Sequence, residues 1–341
     1  MELLSKHYGN RDNNFNLLRL VGASLVIFGH SYALFKGDFV NAYIPGHIGV
    51  QIFFVISGFL VAQSFFRRPY FIEYLVARIL RIFPGLIVAL IFSVLLGAMV
   101  SKLSLGEYFR NPLVWDYFYQ NSILNIRWEL PGVFLNNSFP KVVNGSLWTL
   151  PIEFKLYIIL MFFGIAGVLN SSRAIGNVCA ALLIIAHTNK MVTYGLTGGD
   201  RNVDDVVFCF LLGVLFFTNR DSIFISLRLA IACLFAAALS IKYEFYSFLI
   251  VQFCIAYLVI VFAYNKKIQI NAFKKFDYSY GLYIYAFPIQ QALAEFGVIK
   301  NFEVYVIASF ALTLPFAMVS WVYIEKPALR LRDVIQKFMI P

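Results

Sequence analysis

The sequence predicts an all-α polytopic membrane protein, a bundle of about ten transmembrane helices with both termini in the cytoplasm. Three observations predict it. The chain has 341 residues, of which 60% are hydrophobic and only 13% charged, where a soluble domain carries about a quarter charged residues. Its apolar residues come in runs of roughly 18 to 22, each long enough to cross about 30 Å of hydrocarbon as a helix. Its Lys and Arg residues sit in the short segments between those runs and favour one side.

Read in order, the spans fall at 15–35, 47–66 and 79–100, then 152–169, 174–190 and 204–218, then 223–241, 246–264, 278–296 and 303–323. Residues 1–14 are polar, and the first run carries Arg19 and His30, so it reads as a retained span and not as a removable signal. Between the third and fourth spans lies a long polar segment, 101–150. It is rich in aromatic residues (Trp115, Tyr117, Phe118, Tyr119, Trp128, Trp148). Aromatic residues favour the membrane–water boundary, and this predicts short interfacial helices on the outer face. One bundle accounts for the whole length, so residues 1–341 are expected to form a single domain.

The net charge of +10 invites a nucleic-acid reading, and the positions of the charges argue against it. With the N-terminus inside, the inner segments hold 17 Lys and Arg and the outer segments nine. This is the asymmetry that sets membrane orientation. Cys179, Cys209, Cys233 and Cys254 all lie in apolar runs without metal-ligand spacing. They read as small apolar residues, and neither a disulfide framework nor a metal site is expected.

Ionisable groups inside spans are costly and tend to be functional. Arg19 and His30 are eleven positions apart. At about 100° per residue they share one helix face, separated by about 16 Å along the axis. Arg19 alone also fits a cation snorkelling at a helix end, and His30 alone fits a histidine satisfied by a neighbouring helix. Their common face favours a joint role. Gly49, Ser57 and Gly58 are small residues that let helices approach closely. Arg78 and Arg81, three apart at the start of the third span, suit a phosphate-bearing ligand, and equally are ordinary positive-inside charge. The fourth span opens with Thr149 as a plausible N-cap and Pro151 in the first turn. That puts Glu153 at a depth similar to His30, where a carboxylate can orient an imidazole. Glu153 also suits a helix N-terminus on electrostatic grounds alone. Gln290 and Gln291 fall toward the outer end of the ninth span, able to bond sugar hydroxyls or, equally, each other or the backbone.

Together these runs resemble the type 3 acyltransferase family of bacterial integral membrane proteins. The resemblance rests on Arg19 and His30 with ten residues between them, and on the apolar run ending Ser57-Gly58-Phe59. It rests also on Arg78, Arg81, Phe83 and Pro84, and on Trp148, Leu150 and Glu153. Near the end, YGLYIYAFPIQQ and SWVYIEKPALRLR look like the family too. It covers nearly the whole chain, in order. One departure is that many members carry a His before the Pro of the ninth span, where this chain has Ala286 and Phe287, so no role for that His carries over. The resemblance implies an O-acyltransferase of the bacterial cytoplasmic (inner) membrane. It would move an acetyl or similar group from cytoplasmic acetyl-CoA to a hydroxyl of a surface polysaccharide, O-antigen or glycolipid. His30 and Glu153 would be catalytic, Arg19, Arg78 and Arg81 would hold the CoA, and Trp148, Gln290 and Gln291 would meet the acceptor. No metal, nucleic acid or extra periplasmic esterase-like domain is expected, and polysaccharide-assembly proteins are candidate partners. The alternatives are a glycan or lipid transporter or flippase, and a structural partner of a polysaccharide synthase.

Overall fold

The protein was studied as a computed structural model, which describes residues 2–7, 13–67, 70–165, 172–188, 201–243, 247–265 and 276–339. The ends of the fourth and fifth expected spans (166–169 and 189–190) lie outside the described residues. So do Arg11, Arg68, Lys190, Lys266, Lys267, Lys274 and Lys275, which entered the charge count.

Helices dominate. In chain order they are α1 (Phe15–Ser31), α2 (Phe39–Arg67), α3 (Phe71–Val100), α4 (Leu105–Arg110) and α5 (Pro112–Ser122). There follow α6 (Thr149–Ile165), α7 (Ser172–Thr188), α8 (Arg201–Thr218), α9 (Leu227–Tyr243) and α10 (Ser247–Ala263). The last three are α11 (Ser279–Phe296), α12 (Phe302–Ser320) and α13 (Lys326–Met339). Each of the ten expected spans carries a helix. Among the described residues, five stretches are long and apolar enough to cross a membrane: Phe15–Lys36, Asn41–Arg67, Phe71–Val100, Gly145–Ile165 and Phe302–Arg332. The chain is therefore an all-α membrane protein, with one short strand pair among the described residues. Two helices begin about two turns earlier than expected. α2 starts at Phe39 and takes in Pro45, and α3 starts at Phe71, so Arg78 and Arg81 lie inside it and not at its start. The four cysteines are free.

The contacts divide the chain into two compact units. The first comprises residues 1–22, 48–75 and 155–276. Inside a bilayer apolar burial gains little over lipid, so helices associate through close van der Waals contact and interhelical hydrogen bonds. Gly58 shows how. A Cβ there would stand 2.0 Å from the Phe210 carbonyl oxygen, so α2 and α8 meet backbone to backbone, and the packing role read for this glycine holds. Next to it, Ser57 and Tyr157 share a 2.7 Å hydrogen bond. The Tyr74 hydroxyl donates to the Tyr157 carbonyl at 3.0 Å. Phe59 is fully buried among the rings of Phe15, Phe217 and Tyr264. The polar N-terminus forms β1 (Glu2–Leu3), which pairs antiparallel with β2 (Phe224–Ile225). The sequence reading did not anticipate that pair.

The second unit comprises residues 23–47, 76–154 and 277–341. Its centre is α11, buried without interruption from Ser279 to Ala292. It is mostly apolar around its circumference, as suits an interior helix, and its buried polar residues Ser279, Gln290 and Gln291 are hydrogen-bonded. The segment 101–150 folds as α4, α5 and a series of turns. α4 opens with a capping box, Ser104 and Glu107 bonding each other's backbone N–H groups; the Ser104 hydroxyl, and after it the Ser104 N–H, donate to the Glu107 carboxylate and hold it below its usual pKa range. α5 has Asn111 as its cap and Pro112 in its first turn. The Tyr108 hydroxyl ties this segment to α3 by donating to the Val94 carbonyl at 3.0 Å.

Candidate functional site

Arg19 and His30 lie on the one continuous helix α1. Arg19 is half-buried and counts within the first unit. His30, Glu153, Arg78, Arg81, Trp148, Gln290 and Gln291 all fall in the second.

His30 is half-buried as a residue, but its Nδ1 is enclosed and has no hydrogen-bond partner. Phe287 of α11 packs edge-on against the imidazole, with centroids 4.9 Å apart and an interplanar angle of 87°. Three residues along α11, the Gln290 amide donates to the Ile27 carbonyl and to Ser31 Oγ, both at 2.8 Å. Ile27 and Ser31 bracket His30, so Gln290 fixes the turn of α1 that aims the ring. Gln290 is held in turn by the Tyr305 hydroxyl, which donates to its backbone carbonyl at 2.7 Å. Gln291 donates to the Phe139 and Val142 carbonyls, each at 2.7 Å, and its side-chain oxygen accepts from Asn137 at 2.7 Å. Both glutamines are fully buried. Of the two roles left open by sequence, backbone bonding is the one their amide N–H groups perform here.

A single turn of 3₁₀ helix, Gly145–Trp148, leads into α6. Asn144 caps it: its Oδ1 accepts from Ser146 N at 3.1 Å and its Nδ2 donates to the Ile284 carbonyl at 2.9 Å. The N-cap expected at Thr149 is therefore displaced. Thr149 has helical torsions, and its hydroxyl reaches across to the Tyr283 hydroxyl at 2.8 Å. A Cβ on Gly145 would come within 2.6 Å of the Phe287 ring, so that ring or the turn would have to shift. Trp148 and Glu153 are half-buried. No hydrogen bond joins Glu153 to His30 Nδ1; the Glu153 carboxylate lies within electrostatic reach of Tyr280 and Tyr283.

On α3, Arg81 donates through Nη2 to Asp277 Oδ2 at 2.8 Å. Its Nη1 lies 3.8 Å from Glu325 Oε2. Ser279 donates to the other oxygen of Asp277, and Ser320 donates to Glu325 Oε1 at 2.9 Å. Glu325 ends a single π turn, Trp321–Glu325, a local distortion that often marks functional sites. Arg81 is thus held between two buried carboxylates, and a phosphate would have to share it. The sequence reading missed Asp277, Glu325, Ser146 and Phe287. A signal existed for Glu325, a carboxylate at the end of an apolar run, inside a motif already noted but given no role.

A helical membrane protein with a histidine on one apolar helix and an arginine held between two buried carboxylates falls in a class: membrane proteins with ionisable groups in their interior. The chain belongs to the family described as an acyltransferase domain (Acyl_transf_3), which matches residues 12–322. It is 29% identical over 344 residues to the O-acetyl transferase of Shigella phage Sf6, an alignment covering 93% of this chain and 96% of that protein. It is 28% identical over 369 residues to Nodulation protein 10 of Rhizobium leguminosarum bv. viciae, covering 96% of each. No solved structure matches it. The chain is an enzyme, an O-acyltransferase whose transferred groups are other than amino-acyl groups.

Proposed function

We propose that this enzyme moves an acetyl or similar acyl group from cytoplasmic acyl-CoA to a hydroxyl of a surface polysaccharide, O-antigen or glycolipid at the outer face of a bacterial inner membrane. All ten apolar helices span in this reading, both termini are cytoplasmic, and residues 1–341 act as one transmembrane acyltransferase domain. The observation that carries it is His30: a buried imidazole nitrogen without a partner, on the helix that also bears Arg19, in a chain of this family. An enclosed polar atom left unbonded costs stability, and a reacting group is a reason to bear that cost.

Arg19, Arg78 and Arg81 hold the phosphate end of CoA, Arg81 while also paired with Asp277 and Glu325. The axial distance of about 16 Å from Arg19 to His30 then matches the reach of the pantetheine arm. The acceptor oxygen bonds the acyl carbon and gives its proton to His30; the C–S bond breaks, and the CoA sulfur takes the proton. In the other order, His30 accepts the acyl group first and passes it on. Glu153 steadies the imidazolium through the field in the outer half of the bundle. Trp148 offers an aromatic face to the acceptor, and the buried glutamines shape the pocket.

His30→Ala protein, purified and folded, should bind acetyl-CoA and transfer no acyl group, while Arg19→Ala should weaken acetyl-CoA binding. Transfer at the normal rate by His30→Ala would overturn the mechanism. Mass spectrometry of host surface glycans with and without the gene should reveal the missing ester.

A further inference from the structure

His30 is not the sole buried polar group left unbonded in its neighbourhood. Ser146 is 1% exposed, and its Oγ has no hydrogen-bond partner. The turn that carries it is rigidly placed. Asn144 binds the Ser146 N–H on one side and the α11 backbone at Ile284 on the other, and Thr149 is tied to Tyr283. The Gly145 backbone lies against the Phe287 ring, and the same ring packs edge-on against His30. The serine turn and the histidine therefore meet at one side chain, and each brings an enclosed polar atom with nothing to bond.

We propose that Ser146 is a further catalytic residue, whose buried hydroxyl donates a hydrogen bond to the acyl carbonyl oxygen during transfer. The inference rests on the acyl-transfer reading of His30. Attack on a thioester puts negative charge on the carbonyl oxygen, and a fixed donor in a water-poor site stabilises that charge strongly. A serine hydroxyl both donates and accepts. Its use as a nucleophile requires a base within hydrogen-bond reach, and this hydroxyl hydrogen-bonds to no group, so the donor role is the one the geometry supports. No bond to Ser146 forms: the acceptor oxygen bonds the acyl carbon, its proton goes to His30, and the C–S bond breaks as the CoA sulfur is protonated. Phe287, against both the His30 ring and Gly145, is the ring whose movement would open space for the carbonyl.

The test uses the full-length protein in lipid nanodiscs, radiolabelled acetyl-CoA as donor, and surface glycan from a host lacking the gene as acceptor. Ser146→Ala should lower kcat about 100-fold, in line with loss of one such donor, and leave KM for acetyl-CoA within about twofold. Its melting temperature should stay level or rise, because the substitution removes a buried hydroxyl that bonds nothing. Ser146→Cys, a weaker donor of similar shape, should fall between wild type and Ala. Ser146→Ala with kcat within about threefold of wild type would overturn the proposal. So would a loss of activity in both variants that follows a fall in melting temperature, since that marks a structural role. His30→Ala is run alongside. If it is inactive while Ser146→Ala is active, only the role of Ser146 falls; if it is active, the acyl-transfer reading of His30 falls with it.

Discussion

Arg81→Gln is expected to damage the fold before it affects the donor. The guanidinium side chain is 21% exposed, Asp277 6% and Glu325 2%. Two carboxylates so enclosed share the Arg81 cation among the described residues. Removing one partner of a buried ion pair costs about 3–5 kcal/mol, because the charge left behind is uncompensated. Glutamine keeps much of the shape but none of the charge, so Arg81→Gln should fall in that range. Adding Glu325→Gln should recover part of the loss by removing one orphaned carboxylate, and adding Asp277→Asn should recover more. Equilibrium unfolding of the purified protein in bicelles gives the free energies. The double-mutant cycle between positions 81 and 277 should show a coupling of about 1–3 kcal/mol, as for residues in one ion-pair network. A cost for Arg81→Gln below about 1 kcal/mol, the level of an exposed salt bridge, would refute the reasoning, and so would a coupling energy of zero.

Arg78→Gln alone, without touching Arg81, should weaken acetyl-CoA binding measured by calorimetry and leave the unfolding midpoint unchanged; unaltered affinity would return Arg78 to the role of a topology charge. Gly58→Ala should destabilise the first unit by about 1–3 kcal/mol, the usual range for overpacking, because the new methyl meets the Phe210 carbonyl backbone at 2.0 Å; an unfolding curve that overlays wild type would contradict the backbone contact between α2 and α8. Reporter fusions at residue 341 and within 101–150 should report cytoplasm and periplasm respectively, and a periplasmic C-terminus would sink both the topology and the donor-side argument.

The sequence by itself determined what is local. Length and polarity of the apolar runs determined that the chain is helical and suited to lipid, because each helix satisfies its own backbone bonds within one segment. Helical period determined that Arg19 and His30 share a face of α1, since both lie on one element. The ordered motifs identified the family. Only the tertiary structure decided what each polar side chain does once helices distant in sequence meet. Arg81 finds Asp277 across 196 positions, and Gln290 finds Ile27 across 263; no spacing rule reaches that far. Thr149 looked like a cap until Tyr283 of α11 came within 2.8 Å of it. The sequence reading gave Ser146 no role. Its hydroxyl became notable only when α11 enclosed the turn and left that hydroxyl without a partner, because burial, and with it the cost of an unmet hydrogen bond, is a property of the packed molecule and not of the segment.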